Sequence, residues 1–350
     1  MHVGLGLKRT QLTPATYRFA RQAGATHIVA FLQHAERGEG HGETVSRPRP
    51  ELWTAEALTR LRDDMRREGL TLEAIENFEP ADWHDVLLDG PRRDEQIETV
   101  RTVIRNLGAA GIPVMGYNFS FAGVWGRRAA PDARGGAVTV RFDDPEQPPI
   151  PTGMIWNQVY DGALFEASSP AGIGTITQDE LWDRYRRFLD DVMPVAEEAG
   201  VRLALHPDDP PMPALRGTAR LVHRPEVYDR VLEARPSPSN GLEFCVGTLS
   251  EMPGADIYDV VDHFSRTGRI AYVHLRNVRG TVPHYSEVFV DEGDTDMLRV
   301  LRILAGNGYG GVLIPDHTPS LECDAPWHAG MAYALGWMRA AIASLGALDD

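Results

Sequence analysis

Four residues of metal-ligating type stand at corresponding places in the second half of the chain. His206 follows the apolar run LAL, Cys245 follows LEF, His274 follows AYV and Asp316 follows LIP. Together they offer two imidazole nitrogens, a thiolate sulfur and a carboxylate oxygen. That donor set suits a borderline transition metal such as Mn2+, Fe2+ or Zn2+ better than Mg2+ or Ca2+. Each alone has a plainer reading. A strand cysteine is commonly a small buried hydrophobe, a histidine at a strand end a satisfied polar residue, and an aspartate there a helix cap. Accidents at equivalent positions of four successive units explain the pattern less well than one ion does.

Further polar groups follow other apolar runs: His34, Glu76-Asn77, Tyr117-Asn118, Asp208-Asp209, Arg276-Asn277 and His317. Arg276 could grip a substrate carboxylate with both arms of its guanidinium, or make an ordinary ion pair. His317 could act as general acid or base, or merely orient Asp316. Asp208 and Asp209 could cap the next element, ahead of the rigid pair Pro210-Pro211. Cys323 has no such placement and reads as a loop or packing residue.

Bringing these groups to one surface requires a particular scaffold. Apolar runs at 2–7, 27–32, 72–77, 114–119, 202–207, 241–248, 270–278 and 311–316 alternate with amphipathic stretches at 13–24, 54–68, 95–110, 177–200, 225–234, 257–265, 296–305 and 329–344. Thr13 before Pro14, and Thr177 with Glu180, are N-terminal helix signals, and Pro194 is a kink point. Strands apolar on both faces between helices signal a parallel sheet. Eight such units predict a closed (β/α)8 barrel, whose catalytic groups gather at the C-terminal ends of its strands. An open doubly wound sheet lacks support, since no GxGxxG follows the first strand. Neighbouring strands lie about 4.8 Å apart, so four strand ends can converge on one ion. Residues 120–176 interrupt the alternation after strand four. They are rich in Gly, Pro and Asp, with few periodic segments, and read as a lid or binding insertion or as a surface excursion.

The chain has 350 residues and a formal net charge of -15, from 50 acids and 35 bases. This is ample for a sizeable core, and for either two domains or one large barrel; a single domain is expected. The acidic balance argues against a nucleic-acid or anionic-membrane partner. No apolar run is long enough to span a bilayer, and no signal-peptide h-region is visible. Two cysteines argue against a disulfide framework and fit a cytoplasmic location. Lys8 is the only lysine, which makes imine chemistry improbable.

Taken together, the segments RNLGAAGIPVMGYNF (105–119), PVAEEAGVRLALHPDDPP (194–211), VHLRNV (273–278), GDTDM (293–297) and PDH (315–317) resemble the D-mannonate dehydratase family, metal-dependent TIM barrels of the xylose-isomerase-like group. The resemblance covers nearly the whole chain, including VRFDD (140–144) within the insertion. It implies a divalent ion, Mn2+ or Fe2+ with Zn2+ as an alternative, on His206, Cys245, His274 and Asp316. It implies dehydration of D-mannonate to 2-keto-3-deoxy-D-gluconate in hexuronate breakdown. His317 is then expected to transfer protons, with Tyr117, Asp208 or metal-bound water as its counterpart and Arg276 stabilising developing charge. His34, Asn118, Arg276, Asn277 and Tyr333 are the expected substrate contacts, and a homo-oligomer is the usual state of such barrels. The chain departs from the family in three places. YNFSFAGVW replaces YNF followed by Met-Pro and Asp-Trp; CVGT replaces Cys-Thr-Gly-Ser; and AGMAYALG is a shortened C-terminal segment. There a family tyrosine falls on Met331, with Tyr333 one helical step away as a substitute. Other readings are a sugar isomerase or epimerase of the same barrel group, and a barrel that binds a sugar acid without turning it over.

Overall fold

The computed structural model describes residues 1–33, 36–37 and 44–348. Eight strands close into a parallel barrel: β1 (His2–Lys8), β2 (His27–Phe31), β3 (Thr71–Glu76), β4 (Val114–Tyr117), β7 (Arg202–Leu205), β8 (Asn240–Cys245), β9 (Ile270–His274) and β12 (Val312–Ile314). The labels β5, β6, β10 and β11 belong to the accessory sheet below. Around the ring the order is β1-β12-β9-β8-β7-β4-β3-β2, each strand parallel to its neighbours.

Both faces of the strands are buried, because one faces the barrel axis and the other the helices. Val29, Ala74, Val114, Ala204, Tyr272, Val312 and Ile314 pack together inside the ring. Their alternates, such as Ile28, Ile75, Met115, Leu203 and Val273, join the larger core between strands and helices. The outer layer includes α1 (Pro14–Gln22), α2 (Ala55–Arg67), α3 (Pro80–Leu88), α4 (Arg93–Ala109) and α5 (Gln178–Ala199). Thr13, Thr54 and Thr177 cap α1, α2 and α5 through their hydroxyls, and Glu180 completes a capping box at α5. Helix α5 buries Leu181, Trp182, Tyr185, Phe188, Leu189, Val192 and Ala196 along one stripe. Helices α6 (Val227–Ala234), α7 (Val246–Ser250), α8 (Ile257–Arg266), α9 (Met297–Gly306) and α10 (Pro326–Ser344) complete the layer.

Three expectations from sequence need revision. Strand six does not continue to residue 248: it ends at Cys245, which caps α7. Strand seven does not run unbroken to residue 278. It ends at His274, and Asn277 begins a hairpin of β10 (Asn277–Thr281) and β11 (His284–Val288). The insertion is also more ordered than its composition suggests. Its strands β5 (Arg128–Ala133) and β6 (Ala137–Asp143) pair with that hairpin in a four-stranded sheet, β10-β11-β6-β5. Pairings such as Ser286 with Arg141 join distant parts of the chain, which no local periodicity reveals. Among the described residues no helix is long and apolar enough to cross a membrane.

Candidate metal centre

At the C-terminal mouth the inward-facing side chains form three tiers. The floor holds Glu76, Glu243 and Tyr272. Glu243 is fully buried, and its carboxylate lies 3.2 Å from His274 Nε2; that of Glu76 lies at 3.5 Å. The Tyr272 hydroxyl donates to Glu76 at 3.2 Å. Gly116 makes room for this floor, since a Cβ there would lie 2.2 Å from the Tyr272 oxygen and 2.5 Å from Glu243 Oε2. Burial, and then the charge of Glu76, push the Glu243 carboxyl well above the usual carboxylate range.

The middle tier holds the expected ligands. Nitrogen and sulfur atoms of His206, Cys245 and His274 all lie within 4.8 Å of one another. Asp316 Oδ2 lies 3.7 Å from His274 Nδ1, on a backbone turned into the left-handed region (φ 59°). His206 Nδ1 bonds the Pro207 carbonyl, which leaves Nε2 as its ligating nitrogen. Cys245 lies at the start of α7, where the Thr248 N–H and hydroxyl donate to Sγ at 3.4 and 3.2 Å. Burial alone would raise the Cys245 thiol, but Arg276, His206 and His274 hold it well below its ordinary value. Burial alone would lower His206, but the Cys245 sulfur and Glu243 raise it to about 9. Both ring nitrogens of buried His274 lack a hydrogen-bond partner among the described residues. An imidazole whose Nε2 faces two carboxylates and whose Nδ1 makes no hydrogen bond, beside a second imidazole and a thiolate, fits a divalent ion. The shifts describe a thiolate paired with protonated imidazoles, and a bound cation would take the place of those protons.

The upper tier is a buried ion network around Arg276. Its Nη1 pairs with Glu287, its Nη2 lies 2.7 Å from Asp209 and 3.3 Å from Glu251, and its Nε lies 3.2 Å from Asp316. Gly247 permits this approach, since a Cβ there would lie 2.6 Å from Arg276 Nε. Asp209 also accepts from the Tyr285 hydroxyl at 2.9 Å and from Arg127 Nη1 at 2.9 Å. His317 stands at the rim with 44% of its side chain exposed. Its Nδ1 lies 3.0 Å from Glu287 and its Nε2 3.4 Å from Asp316. Burial would lower its pKa, but those two carboxylates raise it.

The structure therefore brings together His206, Cys245, His274, Asp316, Arg276 and His317. Other expected site residues are placed differently. Tyr117 faces outward, its hydroxyl 3.1 Å from that of Tyr185 and its ring against Phe78 and Phe188. Asp208 is held by the Val222 N–H at 2.8 Å and Arg220 Nε at 3.1 Å; its neighbour Asp209 is the residue in the network. Asn277 is buried and pins the following loop by donating to the carbonyls of Val290 and Thr295. Tyr333 lies 37% exposed on α10, where Arg134 donates to its hydroxyl, while Met331 is buried in the core. Arg276 is only 1% exposed with protein carboxylates on all three of its nitrogens, so it organises acids rather than waiting for a ligand. Asn118 donates to Asn77 at 2.8 Å and lines a cleft with Gln33, Trp83 and Trp156 beside the floor. His34 lies outside the described residues.

Sequence reasoning passed over Glu243, Glu251, Arg127, Tyr285 and Glu287. Glu243 had a usable signal, because it precedes Cys245 by one strand repeat and so shares its face. The others lie on α7, the insertion and the hairpin, where nothing local announces the site.

Comparison with known proteins identifies the family. The family model of D-mannonate dehydratase (UxuA) matches residues 10–345. A mannonate dehydratase of Geobacillus thermodenitrificans is 31% identical over 315 residues, 84% of this chain and 80% of that protein. The crystal structure of mannonate dehydratase from Streptococcus suis superposes with a TM-score of 0.77 at 26% identity, covering 100% of this chain and 96% of that one. A xylose isomerase domain protein from Planctomyces limnophilus shares the fold alone, with a TM-score of 0.58 at 14% identity over 98% of each chain.

Proposed function

The chain belongs to the D-mannonate dehydratase family, and from that premise we propose that it removes water from D-mannonate to give 2-keto-3-deoxy-D-gluconate. The observation that carries this reading is the convergence of His206, Cys245 and His274 at the barrel mouth of a chain matched over nearly its whole length.

The reaction takes a proton from C2, beside the carboxylate, and expels the C3 hydroxyl as water; the resulting enol then becomes the ketone. No oxidant or reductant is needed. His206, Cys245, His274 and Asp316 are the residues that would hold a divalent ion, Mn2+ or Fe2+ before Zn2+. When bound, such an ion supplies Lewis-acid stabilisation of developing oxygen anions. His317 is the proton-transfer group, as its imidazole alone in the network reaches the open rim while anchored by Glu287. Arg276 holds Asp209, Glu251, Glu287 and Asp316 in register and keeps positive charge beside the reacting centre. Asp209, with its carboxylate fixed by Arg276, Arg127 and Tyr285, replaces Asp208 as the acidic group next to His206.

We also read the chain as one cytoplasmic domain, with residues 120–176 as an insertion, assembling with copies of itself. Its two cysteines are both free thiols, which supports a reducing compartment.

The deciding experiment loads the protein with Mn2+, supplies D-mannonate and measures the 2-keto-3-deoxy product. Product is expected from the wild type and none from Cys245→Ala, which also loses the ion. Absence of product from Mn2+-bound wild type would overturn the substrate assignment.

A further inference from the structure

An aldonate must be held by its carboxylate if C2 is to meet the proton-transfer group. Resting on the dehydratase reading, we propose that Arg127 is the carboxylate grip and the residue that makes the site prefer sugar acids to uncharged sugars.

Among the described residues, Arg276, His317 and Arg127 pair with the Asp209 and Glu287 carboxylates of the upper tier. All three nitrogens of Arg276 face protein carboxylates, so it has no free edge. Arg127 is different. It comes from the insertion, immediately before β5, and only its Nη1 is engaged, by Asp209 Oδ2 at 2.9 Å and Glu287 Oε1 at 3.2 Å. Among the described residues, its Nε and Nη2 make no hydrogen bond. Nor are they sealed orphans: the side chain is 13% exposed, and neither atom is among the buried polar atoms lacking a partner. Nε and Nη2 form one edge of the guanidinium, the pair of parallel N–H groups that matches the two oxygens of a carboxylate.

The placement suits the reaction. Asp209 Oδ2, which accepts from Arg127 Nη1, also accepts from Arg276 Nη2 at 2.7 Å and from the Thr248 hydroxyl at 3.3 Å. That hydroxyl also lies 3.2 Å from Cys245 Sγ, the alternative acceptor for its one proton. Glu287 ties the same guanidinium to His317. The grip, a metal-ligand sulfur and the proton-transfer group thus share two anchoring carboxylates. Anchoring by Nη1 fixes the orientation of the free edge before any ligand arrives. A sugar or polyol without a carboxylate gains nothing from that edge.

The test compares binding of D-mannonate and D-mannitol, which has the same carbon chain without the carboxylate, to Mn2+-loaded wild type, Arg127→Met and Arg127→Lys by calorimetry. Two charge-assisted hydrogen bonds predict that Arg127→Met loses mannonate affinity by about 100-fold. Mannitol and Mn2+ affinities should stay near wild type, and Arg127→Lys should fall between, since it keeps the charge but not the fork. In turnover the loss should appear chiefly in KM. Wild-type preference for mannonate in both variants would overturn the inference, as would its absence in the wild type. If Arg127→Met fails to fold, Arg127→Lys decides, because it still neutralises Asp209 and Glu287. Wild type that prefers mannonate but makes no product would sink the dehydratase reading and leave Arg127 to be judged on the binding preference.

Discussion

At the scale of the residue, the metal-ligand candidates depend on groups one tier away. Glu243 is the clearest case, a fully buried carboxyl 3.2 Å from His274 Nε2. A ligating imidazole is oriented by what its second nitrogen meets. With Nε2 turned to Glu243 and Glu76, Nδ1 is left on the side of Asp316. Removing the acceptor in Glu243→Leu is therefore expected to weaken Mn2+ binding by about 10–100-fold. Glu243→Gln, whose amide oxygen can still accept, should retain much of it. Competition with a chelator of known affinity measures both, and unchanged affinity in the leucine variant would refute the role. Thr248 shows how a departure can preserve function. Where the family has Ser in Cys-Thr-Gly-Ser, the threonine hydroxyl still stands within hydrogen-bond reach of both Cys245 Sγ and Asp209, with one proton to donate to either.

At the scale of the element, short segments after the strands determine what the strand ends can do. Strand β8 gives way at once to α7, which aims a helix start at the Cys245 sulfur and lends Thr248 and Glu251 to the network. The hairpin β10–β11 delivers Tyr285 and Glu287, and the insertion delivers Arg127. The opposite end of the barrel offers an independent pH test. His27, at the start of β2, is lowered to about 4 by burial and then by the charge of His2. Its folded pKa lies below the unfolded value, so the stability it contributes is present above about 6.5 and lost as pH falls toward 4. Urea midpoints measured from pH 7 to pH 4 should fall less steeply in His27→Asn than in wild type. Parallel slopes would contradict that origin.

At the scale of the whole molecule, a closed ring buries both faces of every strand and focuses charge at one mouth. The middle tier holds a depressed thiol and two raised imidazoles, so a cation should stabilise the fold as well as activate the site. A ligand present at a hundred times its Kd stabilises the native state by about 2.7 kcal/mol if the unfolded chain does not bind it. Chelation should accordingly lower the thermal midpoint by several degrees, with recovery on adding Mn2+. Cys245→Ala should show little response to either treatment. A chelator-insensitive wild type would argue that the ion contributes nothing to the folded state.

The sequence by itself determined the barrel and the meeting of His206, Cys245 and His274 at one mouth, because both follow from local properties repeated along the chain. Eight apolar runs, each followed by a helix, require only near-neighbour reading. The two-residue strand repeat then selects the inward positions 243 and 245, and 272 and 274. The same repeat places Tyr117 on the outer face of its strand, since it alternates with inward Gly116. Tertiary structure alone decided the rest. Whether Arg276 is free or saturated depends on Asp209, Glu251, Glu287 and Asp316, which reach it from separate elements. Arg127 enters the site only because β6 pairs with β11 across more than a hundred residues of chain. Such pairings are set by complementary edges meeting in space, and no window of sequence contains both edges at once.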